Sequence, residues 1–159
     1  MPTRRETLSK ADFEALAEFR YALRKFLGFS EAAAAERGVT PQKYQALLAI
    51  EGFPGRNWVT VGELAEQMRI THQSAVGLVD RMEQMQLVKR TIPKEDRRRV
   101  QVSLSAKGRR LLEKLYLVHR EELRSSGAQL TALIQKAASR IPPKIQMASS
   151  PCSMPEIED

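Results

Sequence analysis

The chain has 159 residues, of which 42% are hydrophobic. This length suits one compact domain with a buried core and excludes a large multidomain enzyme. The net charge of +7 predicts a polyanionic partner, and its placement is informative: nine basic and two acidic residues lie between Leu87 and Arg110, a surplus equal to the charge of the whole chain.

Several classes of protein are not expected from this sequence. No stretch resembles a signal peptide or approaches the roughly 20 apolar residues that span a bilayer, so the default expectation is a cytoplasmic protein without membrane contact. One cysteine, Cys152, cannot form an internal disulfide, and two isolated histidines have no metal-ligand spacing. We therefore expect no metal and no cofactor.

The first predicted element is a long helix from Lys10 to about Arg37. Its apolar residues recur at spacings of three and four and form one stripe: Phe13, Leu16, Phe19, Leu23 and Phe26. The stripe can be a core face or a helix-helix dimer seam, and one helix can serve both uses.

Three more helices are predicted from their start signals. Thr40 and Pro41 open the second helix, which ends near Gly52 before a glycine- and proline-containing loop and a short strand at Trp58–Val59. Thr60 and Glu63 form a capping box that starts a third helix, 61–68. After a tight connection, Thr71 can cap a fourth helix that runs to about Gln86. Two helices with so short a join form a helix-turn-helix.

A β-hairpin is predicted directly after these helices. The runs 87–92 and 100–104 are β-prone, and charged residues 93–98 form the tip between them. A hairpin in this position is a wing. Ser105 can cap a fifth helix, which we expect Gly127 to interrupt, so that a sixth short helix carries Leu130, Leu133 and Ile134. The predicted fold is mainly α with a small β-hairpin wing, a winged helix-turn-helix of about six helices, and 141–159 have the composition of a solvated tail.

The fourth helix has the composition of a recognition helix. A period of 100° per residue puts Ala75, Leu78, Val79 and Met82 on the packed face and leaves small, hydrogen-bonding residues outside. Gln73 could pair with adenine, Ser74 with a base or phosphate, and Arg81 with a phosphate or a partner carboxylate. Arg97 and Arg98 at the wing tip could enter a minor groove, and Asp96 could orient an arginine. The predicted DNA-binding residues are Thr71, His72, Gln73, Ser74, Gly77, Arg81, Lys94, Asp96, Arg97 and Arg98.

The order and spacing of three segments resemble the MarR family of transcription regulators. They contain V-D-R at Val79–Arg81, D-R-R at Asp96–Arg98 and L-S-x-x-G at Leu104–Gly108. The resemblance implies a homodimer formed by the first helix and the last two helices, major-groove reading by the fourth helix and minor-groove contact by the wing. It also implies, for many members, release of DNA by a small, often aromatic, anion.

Further residues are predicted to form the dimer interface and a pocket for an effector. The predicted dimerisation residues are Phe13, Leu16, Leu123, Leu130, Leu133 and Ile134. Tyr44, Trp58 and His119 could line an effector pocket, although a buried aromatic or histidine is more often packing. His72 is expected at the surface rather than on a metal, and Cys152 is interpreted as incidental because the tail has no nearby cation to favour a thiolate.

The sequence thus predicts a winged helix-turn-helix domain over 1–140. Its DNA-binding part is about 40–104, and its dimerisation part is about 10–37 and 105–140. The expected function is that of a homodimeric regulator on an inverted repeat of double-stranded DNA, by default a repressor relieved by a small-molecule effector. Two alternatives belong to other classes of protein. A scaffold for a protein partner should have a depleted or acidic wing, and an enzyme should have a catalytic motif, which this sequence does not contain.

Overall fold

The computed structural model describes residues 8–94, 96 and 99–140 of the chain. In the described residues five helices and three short strands follow one another. They are α1 (Lys10–Ala35), α2 (Pro41–Glu51), β1 (Trp58–Val59), α3 (Val61–Met68), α4 (His72–Gln84), β2 (Val88–Thr91), β3 (Gln101–Leu104) and α5 (Ala106–Ser139).

The chain divides into two compact units, of which the larger runs from Arg24 to Gly127. Its core consists of side chains from all of its helices and strands, with Leu47, Ile50, Leu64, Leu78 and Met82 among the fully buried ones. β3 is the central strand of an antiparallel sheet in the order β1-β3-β2. Along β3, Val102 and Leu104 are buried between less buried polar residues, as the sequence alternation predicts.

The smaller unit contains the described residues up to Leu23 and from Ala128 onward. Two ion pairs join its chain segments: Lys136 Nζ lies 2.7 Å from Glu18 Oε2, and Arg140 Nη1 lies 3.3 Å from Asp12 Oδ1. Ala15 is fully buried in this unit, whereas Phe13, Leu16 and Ile134 are at least half exposed.

The predicted start signals of the helices are present as hydrogen bonds. Thr40 caps α2 by accepting from the Lys43 amide at 3.3 Å, and Pro41 is the first helical residue. Thr60 and Glu63 form the reciprocal capping box of α3. Each of these signals acts over three residues, which is why the sequence reveals it.

The C-terminal part of the fold differs from the prediction. α5 is a continuous helix from Ala106 to Ser139, so Gly127 does not interrupt it and Leu130, Leu133 and Ile134 belong to the same helix as Leu123. A glycine inside a helix costs only about 1 kcal/mol relative to alanine, which the rest of a 34-residue helix outweighs. The two predicted C-terminal helices are therefore one.

The loop after α2 is closed by one arginine. The Arg56 guanidinium lies 4.0 Å from the centre of the Trp58 ring and 4.5 Å from that of Phe53, and it pairs with Glu63 of the α3 capping box. The amide of Thr60 lowers the pKa of Glu63, and Arg56 lowers it further against partial burial. Glu63 therefore stabilises the fold above its unfolded-state pKa, and this contribution is lost as the pH falls through the folded-state pKa.

Candidate nucleic-acid interface

The start of α4 presents a row of exposed polar side chains. Thr71 caps the helix by accepting from the Ser74 amide at 3.2 Å, and its hydroxyl donates to Ser74 Oγ at 2.8 Å. Because this bond occupies a Ser74 acceptor, the Ser74 proton is left to donate outward. His72 and Gln73 are exposed beside it. The first turn of α4 therefore offers donors and acceptors on a helix end of small width, as a major-groove contact requires.

The opposite face of α4 holds the helix on the domain. Ala75, Leu78, Val79 and Met82 are buried, as the helical period predicts. On the outer side, a Cβ added at Gly77 would lie 3.2 Å from Nη1 of Arg81. The Arg81 side chain therefore lies back along the helix over Gly77, the direction that side chains take toward the helix N-terminus. Its guanidinium is thus about one turn closer to Gln73 and Ser74 than its sequence position indicates.

An arginine of the wing is clamped to α4. Nη2 of Arg90 in β2 lies 2.5 Å from Oδ1 of Asp80, and the same guanidinium pairs with Glu83. The backbone amide of Arg90 also donates to Glu83 Oε1 at 3.3 Å. Partial burial lowers the pKa of Arg90, but the hydrogen bonds and charges of the two carboxylates raise it by more. The sequence does not indicate this contact. Asp80 and Glu83 share a helix face, but nothing local shows that a strand ten residues from Asp80 returns to it.

The turn between α4 and β2 is held by the start of α5. Ser105 Oγ donates to the Gln86 carbonyl at 2.5 Å and accepts from the Gly108 amide at 3.0 Å. A Cβ at Gly108 would lie 2.0 Å from the carbonyl oxygen of Leu87, so only glycine fits there. The L-S-x-x-G segment therefore packs the start of α5 against the turn between α4 and β2.

The predicted contacts of the wing tip are described in part. Lys94 and Asp96 are exposed, and the Asp96 carbonyl accepts from the Arg99 amide at 3.2 Å. Arg97 and Arg98 lie outside the described residues. Their roles stay predictions.

The three candidate effector residues do not line one common cleft. Tyr44 and His119 stack with their ring centres 4.7 Å apart and line a cleft of about 520 Å³ between α1, α2 and α5. His119 is buried, with Nδ1 2.7 Å from the Leu115 carbonyl and Nε2 2.7 Å from Ser30 Oγ. Trp58 is not among the residues that line this cleft, because it pairs with β3 and stacks on Arg56.

The candidate dimerisation residues are apolar and largely uncovered. Phe13, Leu16, Leu123 and Ile134 are 48–60% exposed, and Leu130 and Leu133 are half-buried. Such exposure of large apolar side chains is unfavourable in an isolated chain.

Comparison with known proteins agrees with this architecture. Residues 37–99 match the MarR family model. The matched segment contains α2, the helix-turn-helix of α3 and α4, and β2, and it is similar to the corresponding part of MarR-family proteins. The chain is 28% identical over 99 residues to YsmB, an HTH-type transcriptional regulator of Bacillus subtilis, with 56% of this chain and 68% of YsmB aligned.

Solved structures of other proteins share the fold. AbsC, a MarR family transcriptional regulator from Streptomyces coelicolor, superposes with a TM-score of 0.67 at 20% identity, over 83% of this chain and 92% of AbsC. A MepR variant from S. aureus, bound to an oligodeoxyribonucleotide, superposes with a TM-score of 0.61 at 18% identity, over 77% and 94% of the two chains.

Within the described part of the chain, no three His, Cys, Asp or Glu side chains are grouped to hold a metal ion. No helix in the same residues is long and apolar enough to cross a membrane.

Proposed function

We propose that this chain is a homodimeric repressor of the MarR type that binds an inverted repeat of double-stranded DNA and is released by a small effector. The observation that carries the proposal is the exposed polar start of α4, held beside a basic hairpin by Arg90. In this arrangement Gln73 and Ser74 read base edges, and Arg81 and Lys94 contact phosphates. The DNA-binding part is about 40–104, and Arg97 and Arg98 of the same wing extend the contact into the minor groove.

The oligonucleotide bound to the MepR variant supports DNA as the partner, since that protein shares the fold of this chain. A monomer would present one recognition helix, whereas a two-fold dimer presents two to a palindromic site. The exposed Phe13, Leu16 and Ile134 support dimerisation through the terminal segments, about 10–37 and 105–140.

The cleft beside Tyr44 and His119 supports the proposal that a small effector binds this protein. Its charged lining residues, Arg120 and Arg124, are both cations, and its rings offer stacking surfaces. An aromatic anion matches this combination of charge and shape.

The proposal is tested by selecting bound fragments from genomic DNA and measuring the affinity of the protein for the enriched sequence and for random DNA. Specific affinity should exceed random affinity by about a thousandfold or more. Equal affinity for both would contradict a sequence-reading repressor. Addition of an aromatic carboxylate such as 2-naphthoate should weaken operator binding in the wild type and not in the Arg120→Gln variant.

A further inference from the structure

A second cleft lies on the other side of Leu48 and Tyr116. It occupies about 480 Å³ between the end of α2 and the first half of α5. Its walls are mostly apolar, with Leu112 and Leu117 beside the two shared residues. The remaining lining residues are Gly52, Glu51, Arg109 and Glu113.

Glu51 is the chemically unusual residue of this cleft. Its Oε1 pairs with Arg109, but its Oε2 is buried and has no hydrogen-bond partner among the described residues. A carboxylate oxygen without a donor is unfavourable. Because the Glu51 side chain is 25% exposed, its rotation toward the cleft lets a ligand that brings an N–H group remove that cost.

The formal charges of the two clefts have opposite signs. Glu51 and Glu113 outnumber Arg109 in the second cleft, which leaves one negative charge. The charged residues that line the Tyr44–His119 cleft are the cations Arg120 and Arg124, of which Arg124 also lies 3.8 Å from the Glu121 carboxylate. The two clefts therefore select ligands of opposite charge although they share an apolar wall.

We propose that the second cleft binds an apolar organic cation. The hydrocarbon or aromatic body lies on Leu112, Leu117 and Tyr116, and an ammonium or amidinium group donates to Glu51. The charge, burial and shape of this cleft do not depend on whether the protein binds DNA.

The test uses the full-length protein labelled with ¹⁵N and two probes of similar shape, 2-naphthylmethylammonium and 2-naphthoate. The ammonium probe should shift the amide signals of Glu51, Gly52 and Arg109 at millimolar concentration, and the carboxylate probe should not. Glu51→Gln should lower the affinity for the ammonium probe by about tenfold or more, because it removes the charge-assisted hydrogen bond. Glu121→Gln is the control, since Glu121 is exposed and does not line this cleft.

A second variant keeps Glu51 and its partner Arg109 intact. Leu117 is 53% exposed, so Leu117→Arg should fold while it narrows the cleft and adds a positive charge. It should also weaken binding of the ammonium probe. The proposal is overturned if Glu51→Gln binds that probe as tightly as the wild type, if Leu117→Arg leaves the affinity unchanged, or if both probes shift the same amides.

Discussion

Gly108 lies where a backbone carbonyl leaves no room for a side chain. Its position is set by Ser105, which caps α5 and bonds the end of the α4 turn. Gly127 lies in the same helix, but nothing is within 4 Å of a Cβ added there. A side chain is therefore excluded at position 108 but would fit at position 127.

Alanine at these two positions should act in opposite directions. Gly108→Ala should destabilise the fold by about 2–3 kcal/mol, because the added methyl meets the Leu87 backbone and cannot be avoided by a rotamer change. Gly127→Ala should stabilise it by about 0.5–1 kcal/mol through helix propensity. Urea unfolding at one fixed protein concentration measures both. Equal stability of Gly108→Ala and the wild type would contradict the close approach to Leu87.

Loss of the Gln73 side chain should lower the affinity for the operator but not the affinity for random DNA. Gln73→Ala should weaken operator binding by about 1–3 kcal/mol and spare random DNA, since it removes contacts to a base edge but no charge. Gln84→Ala, at the exposed end of the same helix, is the matched control and should leave both affinities unchanged. A uniform loss on operator and random DNA would exclude Gln73 from sequence reading.

At the scale of elements, local signals predicted most of the fold. The caps at Thr40, Thr60 and Thr71 and the alternation in β3 depend on residues within a few positions, so the sequence displays them. The continuity of α5 depends instead on whether the stability of a long helix outweighs the helix-propensity cost of Gly127. The sequence could not resolve that balance.

Contacts between distant residues were not predictable in the same way. The positions of Gln73 and Ser74 on the exposed face followed from helical periodicity. The Arg90 clamp and the stacking of Trp58 on Arg56 depend on how loops return the chain, which no spacing encodes. The roles of all these residues in DNA binding remain predictions.

The Arg90 clamp gives a prediction about α4 and the wing together. Arg90→Met leaves Asp80 and Glu83 unpaired beside the proposed DNA surface, so binding to operator and random DNA should weaken by roughly tenfold, most strongly at low salt. Adding Asp80→Asn and Glu83→Gln to Arg90→Met should restore most of the affinity for random DNA. If this triple variant binds no better than Arg90→Met, repulsion by the two carboxylates is not the cause.

At the scale of the whole molecule, the exposed apolar residues of the terminal segments predict a dimer. Sedimentation at micromolar concentration should show two chains. Ile134→Glu should raise the dimer dissociation constant by about a hundredfold or more, because each dimer loses two buried apolar side chains. Ile92→Glu is the control, since Ile92 is similarly exposed but lies at the wing. A stable monomer in the wild type would contradict the proposed dimer.

The proposed dimer and the proposed role of α4 together predict the distance between the two half-sites of the operator. If two copies of α4 read the DNA under two-fold symmetry, hydroxyl-radical footprinting of the selected operator should show two symmetric protected half-sites with centres about 34 Å, one helical turn, apart. The wild-type protein on its highest-affinity genomic fragment is the sample for this measurement. Two such half-sites are expected for a two-fold symmetric dimer that reads DNA with α4, and protection of one asymmetric half-turn would exclude it.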